Sequence, residues 1–122
     1  MPHIRLEYST NVKEPLSTEE LFSTCHDILV ETINAELVHC QSRAFPCELF
    51  HVGEGSKHDA FIYMQILLLE GRTLTRLQEM GNKILKVLEN YFSQSREELH
   101  IEIAVHVIEI SKHHYFKSVS RK

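Results

Sequence analysis

The chain carries one pattern twice. Ser17, Leu21, Ile28 and Leu29 recur as Thr73, Leu77, Ile84 and Leu85, a constant offset of 56 residues. The same offset carries Ile4, Leu6 and Tyr8 onto Ala60, Ile62 and Met64, and Phe45, Cys47 and Leu49 onto Ile101, Ile103 and Val105. Each half reads as an alternating strand, a capped amphipathic helix and a second alternating strand. Self-similarity at one fixed period predicts a duplicated βαβ unit, with repeats at about 2–55 and 58–111 within a single domain of residues 1–122. A half of that length is too small to be a secure domain alone.

The elements follow from local signals. Pro2 to Tyr8 alternates as a strand. Ser17-Thr18-Glu19-Glu20 is a capping box opening a helix with the apolar stripe Leu21, Cys25, Ile28, Leu29 and Ile33. A second strand is expected from Arg43 to Val52, and Pro46, which has no amide hydrogen to give, assigns it to a sheet edge. His58 to Leu69 is a third strand, after the turn-rich stretch Val52 to Lys57. Thr73 caps a second helix striped by Leu77, Ile84, Leu85, Leu88 and Phe92, and Leu99 to Ile110 is the last strand.

Right-handed crossovers put both helices on one side of the sheet. The fold class is therefore α/β (α+β): duplicated βαβ units forming a four-stranded mixed sheet with two helices on one face. Ile4, Leu6, Ile62, Met64, Ile101 and Ile103 face the helices. The other face mixes His3, Arg5 and Glu7 with Phe61, Tyr63, Leu67, Leu69, His100 and His106. Its apolar members are too many to leave bare, so a partner subunit is expected to cover them.

Composition removes whole classes of function. Thirteen Lys and Arg against seventeen Asp and Glu give a net charge of −4, which lacks the basic footprint of a nucleic-acid binder. Apolar runs such as Ile66 to Leu69 are far short of a membrane span, and no signal peptide pattern is visible, so the expected compartment is the cytoplasm. Cys25, Cys40 and Cys47 form no C-x-x-C pair and read as reduced structural thiols. The histidines show no metal spacing: His100 and His106 lie roughly 20 Å apart along a strand. Glycine-rich phosphate loops and a serine-hydrolase elbow are absent too.

Joining the βαβ units through antiparallel first and third strands brings Pro2, Gln41, Arg43 and Arg72 to one rim. Loss of the initiator methionine before proline would make the Pro2 nitrogen a secondary amine. An ordinary α-amino group titrates near ~7.7–8.0, and burial beside cations lowers that value. Such an amine suits general base and acid work near neutral pH. Met-Pro is also an ordinary way for a chain to begin. Arg72 precedes the cap Thr73, so an anion there would meet a guanidinium and free helix amides; a solvated loop arginine fits the same pattern. Arg43 opens a strand and could equally pair with a glutamate.

Pro2-His3 before a strand, Ser42-Arg43, His58-Asp59-Ala60-Phe61, Met64, Gly71-Arg72-Thr73-Leu74, Gln78, Gly81 and Phe116-Lys117 form a pattern spanning nearly the whole chain. In order and spacing the sequence resembles the 5-carboxymethyl-2-hydroxymuconate isomerase family of the tautomerase superfamily. The resemblance implies a homotrimer, no cofactor, and an isomerase of aromatic-compound catabolism with its N-terminal proline as general base and acid. Pro2 matches that base. Arg72 and Arg43 match arginines that hold the carboxylates of a dienol substrate. The family pattern has Arg-Ser-Arg where this chain has Gln41-Ser42-Arg43. Gln41 can donate hydrogen bonds to substrate but brings no charge, which points to a related but altered substrate.

The expected reaction moves a proton within a 2-hydroxymuconate-type dienol, giving an unsaturated 2-oxo acid, with no metal, nucleic acid or membrane involved. Two other readings share the element order: a ferredoxin-like small-ligand-binding module without catalysis, and a silent oligomeric scaffold.

Overall fold

A computed structural model describes residues 1–122. Seven elements succeed one another: β1 (His3–Ser9), α1 (Thr18–Ile33), β2 (Gln41–Cys47), β3 (Asp59–Leu69), α2 (Leu74–Tyr91), α3 (Ser93–Glu98) and β4 (His100–Ile110). The sheet order is β2-β1-β3-β4; β1 runs antiparallel to β3, and each outer strand is parallel to its neighbour. This is the expected α+β architecture. No helix is long and apolar enough to cross a membrane.

Alternation in the sequence sets which side is filled. Ile4 and Leu6 of β1 and Ile62, Met64, Ile66 and Leu68 of β3 are buried under the helices. The α1 side chains Leu21, Cys25, Leu29 and Ile33 and the α2 side chains Met80, Ile84 and Leu88 close over them. Each such side chain contributes about 1.5–3 kcal/mol of burial energy. On the other face Phe61, Leu67 and Leu69 are half-buried in the isolated chain.

Three local expectations need correction. First, β2 stops at Cys47 rather than Val52, and Leu49 is 98% exposed. Second, the offset of 56 fits the first strands and the helices but not the second strands. Ile4 and Leu6 stand opposite Ser42 and Ala44, whereas Ala60 and Ile62 stand opposite Ile101 and Ile103. Ser42 therefore corresponds to Ile101, 59 positions on. Because side chains alternate with period two, that odd shift turns the strand over. Ser42 and Ala44 lie toward the helices, and Phe45 and Cys47 toward the opposite face. The extra length is taken up by α3 between α2 and β4.

Third, the Ser17 hydroxyl makes no capping bond. The Ser17 amide instead donates to Tyr91 Oη at 2.7 Å, and that hydroxyl donates to the Pro15 carbonyl at 2.9 Å. The start of α1 is thus set by a side chain from the end of α2. Pro46 does lie on an edge strand, and Thr73 does cap α2, accepting from the Arg76 amide at 3.3 Å.

A second tie joins the same regions. Buried Ser95 of α3 accepts from the Lys13 amide at 2.8 Å, while its own amide donates to Glu14 Oε2 at 2.9 Å and its hydroxyl donates to Oε1. Partial burial alone would raise the Glu14 carboxyl pKa, but these bonds from Ser95 outweigh it and hold the group below its ordinary 4.5. A depressed folded-state pKa gives stability that is full above the unfolded value and is lost as pH falls through the folded one. Glu14→Gln is expected to cost about 1 kcal/mol at neutral pH, below the usual worth of a charge-assisted bond because solvent screens the partly exposed Glu14. The difference from the parent should shrink below pH 4.5, and parallel urea titrations at pH 7 and pH 3 read it. Equal differences at both pH values would sink this account.

Candidate active site

Pairing alone assembles the predicted rim. His3 sits between Gln41 of β2 and Leu67 of β3, so the start of β1, the start of β2 and the end of β3 share one end of the sheet. Pro2 is buried there, and its carbonyl accepts from the Gln41 amide at 3.1 Å. Past the end of β3 the chain turns at Gly71, whose φ of 126° is a conformation side-chain-bearing residues rarely adopt, and delivers Arg72 to the same end.

Arg72 does not lie as the sequence suggested. Its Nε donates to the Ile33 carbonyl at 3.3 Å and its Nη1 to the Leu69 carbonyl at 3.1 Å. The guanidinium has turned from the N-terminus of α2 to the C-terminus of α1, where unpaired carbonyls attract a cation. Arg72 thus pins the end of α1 to the end of β3 and lines a shallow cleft of about 460 Å³ with Asn34, Glu70, Thr73 and Arg76.

Arg43 reaches the rim from β2. Its alignment with Arg5 puts two like charges side by side on one sheet face. They part: the Arg5 guanidinium lies over the Phe45 ring, 4.7 Å from its centre, a cation–π contact. Arg43 bends the other way, and its Nη2 donates to His3 Nδ1 at 3.1 Å and to Gln41 Oε1 at 3.3 Å. Gln41 therefore acts through its carbonyl oxygen toward a neighbour. Burial lowers the His3 pKa, with Arg43 and the chain's terminal amine adding to the effect.

That amine, carried by Met1, is itself held below 8.0. Burial is the largest cause; Lys117 and Arg72 lower it further, and Cys40 opposes them. Lys117 and Tyr115 come from the C-terminal tail, whose only apolar residues before Val119 are Tyr115 and Phe116. Tyr115 Oη lies 2.9 Å from His3 Nε2, a contact across 112 positions of chain. His3, Tyr115 and Lys117 were not singled out as site residues from the sequence.

The roomiest groove lies elsewhere. About 850 Å³ opens between α2 and β4, lined by Leu77, Gly81, Leu85, Ile103 and Val105, and it contains none of the rim residues. Gln78, Asn82 and Glu109 also line it, but it gathers no amine or cation, whereas the rim brings together an amine and several cations, so we take the rim as the candidate site. Two further histidine contacts, His100 with Asp59 at 3.6 Å and His106 with Tyr63 at 2.6 Å, lie outside it. No group of three or more His, Cys, Asp or Glu side chains is placed to hold a metal ion.

Known proteins agree with this architecture. A crystal structure of a 5-carboxymethyl-2-hydroxymuconate isomerase from Deinococcus radiodurans R1 superposes with a TM-score of 0.88 at 22% identity, over 98% of this chain and 90% of that one. A fused 4-OT wild-type symmetric trimer superposes at 0.70 and 14% identity, over 90% of this chain and 86% of that one. In sequence, 110 residues are 23% identical to the 5-carboxymethyl-2-hydroxymuconate Delta-isomerase of Escherichia coli, covering 90% of this chain and 87% of the relative. The profile of 5-carboxymethyl-2-hydroxymuconate isomerase matches residues 2–120. This chain, an isomerase of tautomerase fold, belongs to the 5-carboxymethyl-2-hydroxymuconate isomerase family.

Proposed function

We propose that the chain isomerises a small carboxylated dienol of the 2-hydroxymuconate type to an unsaturated 2-oxo acid, using the Pro2 nitrogen as base and then acid. The observation that carries this is the convergence of a chain terminus with a lowered amine pKa, Arg72, Arg43 and Lys117 at one end of the sheet. Removal of Met1 would turn the Pro2 nitrogen from an amide into a secondary amine in that cationic setting. Cations disfavour the ammonium, so the amine would have a free lone pair near neutral pH. The same cations draw a substrate carboxylate to the rim and stabilise the enolate charge that develops as the proton leaves.

The steps balance without a cofactor. Pro2 nitrogen takes the 2-hydroxyl proton, the electron pair left on oxygen forms the C=O bond, the double bonds shift, and the far carbon of the dienol takes the proton back from the Pro2 ammonium. Arg43 would bind one carboxylate, with Arg72 using the guanidinium hydrogens not given to Ile33 and Leu69. Gln41 serves as the neutral member of the set. A homotrimer is part of this proposal: it would cover Phe61, Leu67 and Leu69 on the open sheet face, and the structurally similar fused 4-OT is a symmetric trimer.

Intact mass of the purified protein and ultraviolet-monitored ketonisation of 2-hydroxymuconate test the proposal together. Chains lacking Met1 are expected to accelerate ketonisation, and chains retaining it to be inert. Activity in methionine-retaining chains would rule out the amine as base, and inert processed chains would rule out the substrate class.

A further inference from the structure

We propose that His3 is a positioning residue, whose imidazole aims the Arg43 guanidinium at the substrate carboxylate while Tyr115 braces the far side of the ring. The inference rests on the reading of the rim as the active site. A guanidinium only donates hydrogen bonds. His3 Nδ1, 3.1 Å from Arg43 Nη2, must therefore be the unprotonated acceptor. The ring proton then sits on Nε2 and is donated to Tyr115 Oη at 2.9 Å, with the two rings edge to face at 6.1 Å.

The partition of Arg43's donors gives this arrangement its use. Both Nη2 hydrogens are taken, one by His3 and one by Gln41 Oε1. Nε and Nη1 make no protein hydrogen bond and are left for a carboxylate. The imidazole is a stiff support, since β1 is paired on both sides at His3. Without it, one weaker acceptor at 3.3 Å would remain to keep Arg43 turned from Arg5 toward the rim. Precise placement of a binding group depends on such supporting contacts. Tyr115 extends the support to the C-terminal tail, so the tail is coupled to Arg43 through one ring.

Steady-state ketonisation of 2-hydroxymuconate by the parent, His3→Leu, His3→Asn and Tyr115→Phe separates positioning from general structure. His3→Leu is expected to raise KM about tenfold with kcat within about threefold of the parent. His3→Asn, whose Oδ1 can accept from Arg43, should restore KM to within about threefold of the parent. Tyr115→Phe should fall between them. Unchanged KM in His3→Leu, or equal damage in His3→Leu and His3→Asn, overturns the proposal.

Nitrogen-15 spectra of the unliganded protein, with His3 assigned by difference from His3→Asn, read the tautomer without substrate. An Nε2-protonated ring is expected at pH 7.5, together with hindered rotation of the Arg43 guanidinium that His3→Leu abolishes. An Nδ1-protonated ring or a freely rotating Arg43 in the parent overturns the positioning role even if the enzyme is active. An inactive parent with the expected spectra overturns the assigned reaction and, with it, the aim at a substrate carboxylate, while the His3–Arg43 contact itself stands.

Discussion

Pro2→Ala is expected to reduce kcat for ketonisation by about 10²–10⁴-fold, the usual worth of a positioned general base. The variant keeps a terminal amine at the same end of the sheet once methionine is removed, so some activity should survive. What it loses is the ring. Proline's nitrogen is a secondary amine fixed by its own pyrrolidine, whereas alanine's amine turns freely about a single bond and spends much of its time misdirected. KM should change little, because the arginines that hold the carboxylates are untouched. The pH profile gives an independent check. The amine must be neutral to accept a proton, so kcat/KM should rise with pH through the pKa of the Pro2 amine, in a setting where burial first, and then Lys117 and Arg72, disfavour a terminal ammonium. Identical kcat and pH profiles in parent and variant would remove Pro2 from the mechanism.

Phe92→Ala should produce the largest loss of stability. Phe92 is fully buried at the junction where α2 ends and α3 begins, and its ring packs edge to face on Tyr91 with centres 5.0 Å apart. Its amide donates to the Leu88 carbonyl at 3.0 Å, so the backbone is held and cannot collapse into the space left behind. Phenylalanine-to-alanine changes at such sites cost about 3–5 kcal/mol. A domain is stable by only about 5–15 kcal/mol. A fall in Tm on the order of 10–20 °C is expected for a chain of this size. Calorimetry of the parent, Phe92→Leu and Phe92→Ala measures it, with the leucine variant retaining most of the stability. A Tm for Phe92→Ala within about 2 °C of the parent would mean that this ring is not a keystone of the core.

The parts of the fold legible in the sequence are those governed by short-range periodicity. Ile4 and Leu6, Ile62 and Met64, and the stripes of α1 and α2 declare their faces by spacing alone. The meeting of Pro2, Gln41, Arg43 and Arg72 was legible too, because strand direction fixes which ends coincide whatever the side chains do. The face of β2 was not. Whether Phe45 or Ala44 points at the helices depends on register with β1, and an offset learned from the helices carries no information about that pairing. Likewise, Tyr91 taking the Ser17 amide in place of Glu20 and Arg72 turning to the Ile33 carbonyl are choices between nearby partners of similar strength, settled by packing. Tyr115 is the extreme case: nothing local in a polar tail marks it as the partner of His3.

The seam between the two βαβ segments has a consequence for cooperativity. β1 and β3, one from each segment, pair in the middle of the sheet, and the buried cluster draws on both segments. Separating them would leave each with a strand bare along one side and half of an apolar interior facing water. Neither segment can therefore open as an independent unit. The protein is expected to melt from its edges inward, with the most slowly exchanging amides, read by hydrogen exchange, on the β1–β3 line where the first segment meets the second. A chain whose strands and helices come in two βαβ runs is, energetically, indivisible.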